Sequence, residues 1–299
     1  MYKSCTTLVF VILIILTGSL TGPSFNSISF AEGQQQSPGT GNSKNVTDLM
    51  NLNNTNSAVQ LENETINYFE NSTGYLVYPT SELPILSENK NTSNNKTFPA
   101  VIMIHEWWGL NDNIKNMANL LAKEGYVVLA VDLFNEVAVS PDRASELTQA
   151  IRDNPDTAIA NLKSAVQYLK SLPNVNPDKI ASLGWCFGGQ QSLQLALNSD
   201  ENPLSATIIY YGRLVTDPET LSKIDWPVLG IFGDKDESIS VDSVKQFEDS
   251  LNKNEITNEI YIYEGVGHAF ANPSGDNYAP QETQDAWEKT VSFLERHLG

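Results

Sequence analysis

The 299-residue chain has few cysteines, histidines and basic side chains. It contains two cysteines, Cys5 and Cys186, three histidines, and 18 lysines and arginines against 36 aspartates and glutamates. The formal net charge of −18 provides no basic face on which a nucleic acid or an anionic membrane surface could bind. So few cysteines and histidines cannot form a zinc site of ordinary composition. We therefore expect no nucleic-acid partner and no metal.

Cofactor-binding motifs are missing as well. The glycines around Cys186 do not follow the G-x-G-x-x-G spacing of dinucleotide sites, and the chain has no P-loop. Asp234-Lys235-Asp236 resembles the start of a calcium loop, but the glycine at the sixth position and the glutamate at the twelfth are lacking. The sequence thus predicts a protein without a cofactor.

The N-terminus lacks an apolar run of about 20 residues, which a membrane-spanning helix needs. Its apolar run, Leu8–Leu16, follows Lys3 and precedes a small-x-small cleavage sequence at Ser29-Phe30-Ala31. Residues 1–31 therefore match an export signal, and an uncleaved N-terminal anchor is the alternative. Cleavage would leave a secreted or cell-surface protein with Cys186 as its one thiol and no internal disulfide.

Residues 32–65 are poor in apolar side chains and rich in glutamine, serine, asparagine and glycine, as linkers are. We expect this segment to be disordered. All N-x-S/T sequons of the chain precede Thr97, and together with an export signal they predict a glycosylated segment at the outer surface. The sequons lie at Asn45, Asn53, Asn63, Asn71, Asn91 and Asn95.

A single folded domain is predicted for residues 66–299. It opens with a hairpin of two strands, and strands then alternate with helices up to the C-terminus. This α/β alternation is typical of right-handed crossovers, which build a mostly parallel sheet with helices on both faces. We expect a monomer. The predicted strands are 66–69, 74–79, 100–104, 126–131, 179–183, 206–210, 228–232 and 260–263, and the predicted helices are 112–123, 156–170, 190–198, 241–251 and 281–297.

The centre of the domain is Gly184-Trp185-Cys186-Phe187-Gly188-Gly189. A short apolar strand precedes this stretch and a helix follows it, which is the setting of a nucleophile elbow. The three glycines stand where small residues let the strand and the helix pack closely below the nucleophile. At the apex lies Cys186, whose thiolate a helix N-terminus would favour. A small buried cysteine beside a glycine-rich turn is the alternative.

Two further strand ends carry residues that would complete a catalytic triad. His268 lies in a glycine-flanked loop after the last strand, whereas His297 belongs to the C-terminal helix. Asp236 follows the preceding strand, so nucleophile, acid and histidine occur in the chain order of α/β-hydrolases. Asp234 is the competing acid, although turn formation suits it better. We predict a triad of Cys186, Asp236 and His268.

Another strand ends at the motif His105-Glu106-Trp107-Trp108-Gly109. In α/β-hydrolases this loop supplies one amide of the oxyanion hole, and the residue after the nucleophile supplies the other. The N–H groups of Trp107 and Phe187 are therefore predicted to form it. Glu106 would then point into the pocket beside Cys186, where a carboxylate without a partner is costly. The alternative for Glu106 is an acid on a surface loop.

Several motifs occur together in the order of one known family: His105 to Leu110, Asp132-Leu133-Phe134, Gly184 to Gly189, Tyr210-Tyr211-Gly212, Asp236, and Gly267-His268-Ala269-Phe270. On these motifs, the chain from about residue 74 onward resembles the dienelactone hydrolases, the carboxymethylenebutenolidases of the α/β-hydrolase fold. The resemblance implies a hydrolase that cleaves small esters or lactones through a thioester acyl-enzyme. It also implies that Glu106 holds the resting thiol protonated, or shares its proton, until substrate binds.

The chain departs from this family at two arginines that clamp an anionic substrate. The corresponding positions hold Glu136 and Asn272. An acid there would repel an anion, and asparagine cannot make a charge-assisted bidentate contact. The sequence therefore predicts a preference for neutral small esters. Arg143 and Arg213 could replace the clamp, but the sequence places neither of them in the pocket.

A protein of another class is the alternative to an enzyme. It would be a surface-displayed, glycosylated binding protein on a hydrolase fold, with little or no catalysis. The presence of an acid, a base and a thiol at three strand ends argues against it, because a binding module needs none of them there. Turnover of a short-chain chromogenic ester, with and without a thiol-alkylating reagent, would separate the two.

Overall fold

The computed structural model describes residues 59–80 and 97–299. The predicted export signal, the predicted linker up to residue 58 and four of the six sequons lie outside the described residues. The other two sequon asparagines, Asn63 and Asn71, are exposed to solvent. Within the described ranges, no helix has both the length and the apolar composition needed to cross a bilayer.

Eight strands form one mostly parallel sheet. They are β1 Leu61–Phe69, β2 Ser72–Pro79, β3 Phe98–Ile104, β4 Val127–Val131, β5 Val175–Trp185, β6 Ala206–Tyr210, β7 Val228–Gly233 and β8 Asn258–Tyr263. Their order across the sheet is β1-β2-β4-β3-β5-β6-β7-β8. The β1/β2 and β2/β4 pairs are antiparallel, and the other five pairs are parallel. The predicted α/β architecture is confirmed.

Helices cover both faces of the sheet. They are α1 Asp112–Lys123, α2 Pro141–Asp153, α3 Pro155–Ser171, α4 Phe187–Leu197, α5 Pro218–Leu221, α6 Val241–Lys253 and α7 Pro280–Leu298. Successive strand residues point to opposite faces, so Ile102 packs with the cluster under α3, α4 and α6, and Met103 packs with the cluster under α1 and α7. These two apolar layers hold the sheet rigid and so fix the positions of the loops at its edge.

The structure differs from the sequence prediction in the bounds of several strands and by two additional helices. Strand β1 begins at Leu61, before the predicted start of the domain at residue 66. It is an edge strand in which only Ile66 is buried, so it lacks the apolar alternation that marks a half-buried strand. Helices α2 and α5 are not among the predicted helices. For α2 the capping signals are present, because Ser140 accepts the Arg143 N–H and Pro141 opens the first turn.

The fold brings four loops together at one edge of the sheet. Because β3, β5, β7 and β8 run parallel, the loops that follow them leave from the same edge, where α/β sheets place their binding sites. These loops carry His105 to Gly109, Cys186, Asp236 and His268.

Candidate active site

Cys186 stands between β5 and α4 in a sharp turn. Its backbone has φ 55° and ψ −116°, a region that costs a residue with a side chain about 1–3 kcal/mol. Close packing enforces the turn: a Cβ added to Gly184 would lie 2.1 Å from the Gly188 carbonyl oxygen, and a Cβ added to Gly188 would lie 2.3 Å from that of Ile104. The thiol is partly exposed at the N-terminus of α4 and forms no disulfide.

The imidazole of His268 connects Cys186 with Asp236. Its Nε2 lies 3.1 Å from the cysteine Sγ, and its Nδ1 lies 2.8 Å from Oδ2 of Asp236. The second carboxylate oxygen, Oδ1, accepts the N–H groups of Ser238 and Ile239 at 2.8 and 2.9 Å. These bonds fix the acid, which orients the imidazole toward sulfur. The structure thus brings the three predicted triad residues together.

The competing acid and the competing histidine lie elsewhere. Asp234 accepts the Gly265 N–H at 2.6 Å and so ties two loops together. His297 packs its ring against Phe293 within α7, at a centroid distance of 4.6 Å. Across residues 59–80 and 97–299, no three potential metal ligands cluster together.

The contacts of His268 favour its charged form. Burial disfavours the imidazolium, but the hydrogen bonds to Asp236 and Cys186 and the negative charge of both raise the imidazole pKa to about 10. At neutral pH an imidazolium therefore faces the sulfur. A cation in this position favours the thiolate, which is the reactive form of cysteine.

Glu106 is buried, with 4% of its surface exposed, and lines a cavity together with Cys186 and His268. Its Oε2 accepts Nδ2–H of Asn272 at 2.5 Å, and the Tyr211 hydroxyl lies 3.5 Å from Oε1. Burial raises the carboxyl pKa to about 7, although the positive charge of His268 and the two hydrogen bonds act in the opposite direction. The surface-acid alternative is wrong. Within the described part of the chain, the carboxylate makes no hydrogen bond to Cys186.

Two backbone N–H groups near the thiol have no hydrogen-bond partner among the described residues. They belong to Trp107, in the loop after β3, and to Phe187, the first residue of α4. Both residues line the same cavity as Cys186. Unpaired amides beside a nucleophile can donate hydrogen bonds to an oxygen that becomes negative during a reaction.

Two cavities adjoin the thiol, and both are lined by Cys186, His268 and Trp107. We call the first the arginine cavity; it has a volume of about 190 Å³, and its lining includes Arg152 and Arg213. We call the second the tryptophan cavity; it has a volume of about 510 Å³, and its lining includes Trp108, Glu106 and Asn272. A substrate whose reacting carbonyl lies at the sulfur can therefore extend into either cavity.

The acid that was expected to repel anions lines neither cavity. Glu136 accepts two hydrogen bonds from Arg143, at 2.8 Å from Nε and 2.7 Å from Nη2, which neutralise its charge. Arg152 and Arg213 instead face the arginine cavity. The guanidinium of Arg152 bonds to the neutral amide of Gln149, and that of Arg213 has no partner among the described residues. The predicted repulsion of anions by Glu136 is therefore wrong, whereas Asn272, the other departure from the family's clamp, does line the tryptophan cavity.

Some contributors to the site were not predicted from the sequence. Arg152 lies in the last turn of α2, and the Ser140-Pro141 capping signal could have revealed that helix. The role of Asn272 as the donor to Glu106 depends on a contact across 166 positions. No local signal in the sequence could have shown that contact.

Comparisons with known proteins find relatives for most of the chain. A model described as "Dienelactone hydrolase family" matches residues 89–298. Protein usf of Aquifex pyrophilus is 34% identical over 206 residues, which cover 67% of this chain and 89% of that protein. A Saccharolobus solfataricus protein named "Putative carboxymethylenebutenolidase" is 32% identical over 232 residues, which cover 66% of this chain and 89% of that protein.

Solved structures show the same fold. The crystal structure of a dienelactone hydrolase-like promiscuous phosphotriesterase from metagenomic libraries matches this chain with a TM-score of 0.70. The match covers 80% of this chain and 99% of the other, at 21% sequence identity. At that identity, the likeness concerns the architecture alone.

Proposed function

Because the chain belongs to the dienelactone hydrolase family of carboxylic ester hydrolases, we propose that it cleaves small esters or lactones with a Cys186, His268 and Asp236 triad. One observation carries the proposal: the imidazole of His268 contacts both the cysteine Sγ, at 3.1 Å, and the Asp236 carboxylate, at 2.8 Å. A nucleophile, a base and an orienting acid in hydrogen-bond series are the arrangement that acyl transfer requires.

The first half of the reaction forms a thioester. The Cys186 thiolate attacks the carbonyl carbon, a sulfur–carbon bond forms, and the carbonyl oxygen becomes an oxyanion that accepts the N–H groups of Trp107 and Phe187. When the tetrahedral intermediate collapses, the bond from carbon to the leaving oxygen breaks. The His268 imidazolium gives its Nε2 proton to that oxygen, which leaves as an alcohol or, in a lactone, stays attached as a hydroxyl.

The second half hydrolyses the thioester. His268 is now neutral and takes a proton from a water molecule, whose oxygen attacks the thioester carbonyl. The same two amides stabilise the second oxyanion, and its collapse breaks the sulfur–carbon bond. The products are a carboxylic acid and the thiolate beside the imidazolium, so one water is consumed for each ester bond cleaved.

The arginine cavity supports a proposal for the substrate class. Arg152 and Arg213 place two guanidinium groups in the lining that also contains Cys186, and guanidinium groups pair well with carboxylates. A relative is named as a carboxymethylenebutenolidase, a name that denotes a lactone with a carboxyl group. We therefore propose that the substrate carries an anionic group, which binds in the arginine cavity while the rest extends into the tryptophan cavity.

Trapping of the acyl group tests this mechanism. The wild-type protein, mixed with a short-chain p-nitrophenyl ester and quenched in acid, should carry the acyl group on the peptide that contains Cys186. Mass spectrometry should detect it, and hydroxylamine at neutral pH should remove it. Complete alkylation of Cys186 by iodoacetamide should abolish both the adduct and the turnover. Turnover that persists after complete alkylation would rule out the thioester route.

Glu106 is proposed to control the charge on the thiol. Its buried carboxyl has a pKa raised to about 7 by burial, so it changes charge in the neutral pH range. The ionised carboxylate lines the tryptophan cavity together with Cys186, and a negative charge at short range disfavours a second one on sulfur. The resting site therefore holds less thiolate when Glu106 is ionised, and this limits oxidation of the free enzyme.

Replacing Glu106 by glutamine should raise the rate of Cys186 alkylation by iodoacetamide in a pH-dependent way. Below the carboxyl pKa of about 7, the wild-type side chain is neutral, so both proteins should react alike. Above that pH only the wild type carries the charge, and Glu106→Gln should react roughly tenfold faster, because removal of a nearby negative charge favours the thiolate by about 1.4 kcal/mol. The measurement is the second-order alkylation rate between about pH 5 and pH 9.

The matched control is Glu146→Gln, which removes an exposed acid that lines neither cavity. Its alkylation profile should coincide with that of the wild type. Equal rates for Glu106→Gln and the wild type above pH 7, or a difference that is constant at every pH, would show that Glu106 does not control the thiol.

We also propose that the protein is exported and acts at the cell surface or outside the cell. The support is the signal-like sequence of residues 1–31 together with the sequons. Asn63 and Asn71 are exposed on and beside strand β1, so a glycan at either position would point into solvent and would also protect an unpaired sheet edge.

A further inference from the structure

A buried histidine outside the proposed triad contacts the peptide that carries one of the proposed oxyanion-hole amides. His105 follows β3, has 0% of its surface exposed, and is not among the residues that line the arginine or the tryptophan cavity. We infer that His105 is a positioning residue: its imidazole holds the peptide between Glu106 and Trp107 so that the Trp107 N–H can donate to the oxyanion. The inference rests on the proposed function.

The hydrogen bonds of the ring define which nitrogen carries the proton. The Leu133 N–H donates to Nε2 of His105 at 3.1 Å, so Nε2 must be an acceptor without a proton. The proton is therefore on Nδ1, which donates to the carbonyl oxygen of Glu106 at 2.6 Å. Burial lowers the pKa of His105, which keeps the ring neutral and preserves this tautomer.

The nearest acid does not disturb this arrangement. An oxygen of Asp132 lies 3.9 Å from Nε2 of His105, beyond hydrogen-bond distance. That oxygen already accepts the N–H groups of Phe134 and Asn135, at 2.9 and 2.8 Å. Both ring nitrogens of His105 are thus occupied by backbone groups, which leaves neither of them free to move a proton to or from a substrate.

The bond to the Glu106 carbonyl determines where the Trp107 N–H points. A peptide is planar and trans, so its C=O and its N–H point in opposite directions, and no described peptide bond is cis. While His105 holds the carbonyl, the Trp107 N–H must point away from His105. Rotation of this peptide would break the bond and remove the amide from the oxyanion hole. The Gly109 N–H also reaches this carbonyl, but at the longer distance of 3.2 Å.

The ring itself is held by aromatic neighbours. Its centroid lies 4.7 Å from that of Phe134 and 5.9 Å from that of Phe187, onto which it stacks at an interplanar angle of 21°. Phe187 carries the second unpaired amide. One buried imidazole therefore hydrogen-bonds to the peptide of the first oxyanion-hole amide and packs against the residue that supplies the second.

The test compares His105→Leu, which removes both hydrogen bonds, with His105→Gln, which keeps a donor and an acceptor. In the leucine variant kcat should fall by about 10- to 100-fold, because one oxyanion donor is worth about 100- to 1000-fold and Gly109 still holds the carbonyl. KM should change little, since the lost interaction acts in the transition state. The glutamine variant should recover most of the activity.

Alkylation separates positioning from a merely structural role. Reaction of Cys186 with iodoacetamide displaces iodide at a saturated carbon and forms no oxyanion, so it reports on the thiolate and on the groups that set its charge, and not on the oxyanion hole. It should proceed in His105→Leu at the wild-type rate within about twofold, because this variant leaves the triad contacts intact. Equal losses of alkylation and turnover would overturn the inference, as would wild-type kcat in the folded leucine variant.

A spectroscopic measurement on the wild-type protein does not depend on whether a variant folds. The side-chain nitrogen resonances of His105 should show a proton on Nδ1 and none on Nε2, without titration between about pH 5 and pH 9. The opposite tautomer, or a titration in that range, would also contradict the inference. Failure of the proposed function would look different, because the wild type would then show no turnover that depends on Cys186 at all.

Discussion

Replacement of Cys186 by alanine is expected to lower kcat for an ester or a lactone by a factor on the order of 10⁴ to 10⁶, since it removes the atom that forms the acyl-enzyme. His268→Ala should have a comparable effect, and Asp236→Asn should cost about 10⁴-fold by allowing the wrong imidazole tautomer. Triads act as a unit, so the double variant Cys186→Ala with His268→Ala should be no slower than either single variant.

The free energy of unfolding, measured with denaturant, is the control for the triad variants. A folded Cys186→Ala protein should retain it within about 1 kcal/mol, because the substitution removes one partly exposed sulfur atom. Turnover by this folded variant within tenfold of the wild type would contradict the assignment of the nucleophile. A double variant that loses activity in proportion to the product of the two single losses would contradict a triad acting as one unit.

Removal of both arginines from the arginine cavity is expected to change substrate selectivity rather than chemistry. In the double variant Arg152→Gln with Arg213→Gln, kcat/KM for a carboxylate-bearing lactone should fall by about 100-fold. This corresponds to about 1.4 kcal/mol for each charge-assisted contact, a value reduced because both arginines are exposed to solvent. The methyl ester of the same lactone should be opened at the wild-type rate within about threefold, since it carries no charge for the arginines to bind.

Arg143→Gln is the matched control, because it removes the same charge from a guanidinium that pairs with Glu136 and Glu146 and lines neither cavity. It should leave the ratio of the two kcat/KM values unchanged. The preference of the wild type for the anionic lactone should also weaken with added salt, because the arginines are exposed. A double variant that lowers both rates equally, or neither, would show that the arginines do not bind the substrate anion.

Local signals in the sequence predict much of this fold. Apolar runs bounded by turn residues marked the buried strands, because a strand with both faces covered is apolar along its length. The first part of strand β1, before Ile66, and helix α2 were not predicted, because an edge strand and a surface helix bury few side chains. Only Ile66 is buried in β1, and only Ala144 and Thr148 are buried in α2. For such elements the capping residues carry more information than the apolar pattern.

The candidate site also has features that the sequence predicts and features that it does not. The sequence by itself determined the position of Cys186 in a glycine-bounded elbow and the order in which Asp236 and His268 follow it. The elbow glycines are a local steric requirement, and parallel strands bring their carboxyl ends to one edge whatever the loops contain. The elbow glycines and the order of the three residues can be read from the sequence without knowledge of any interatomic distance.

Only the tertiary structure decided which charged and polar side chains lie near the thiol. Glu136 was expected in the pocket, but it pairs with Arg143, while Arg152 on a helix absent from the prediction lines the arginine cavity. Asn272 contacts Glu106 across 166 positions. The physical reason is that a charged side chain takes its direction from the packing of its whole helix or loop. Two charged groups interact according to the distance between them in space. Their separation along the sequence does not predict that distance.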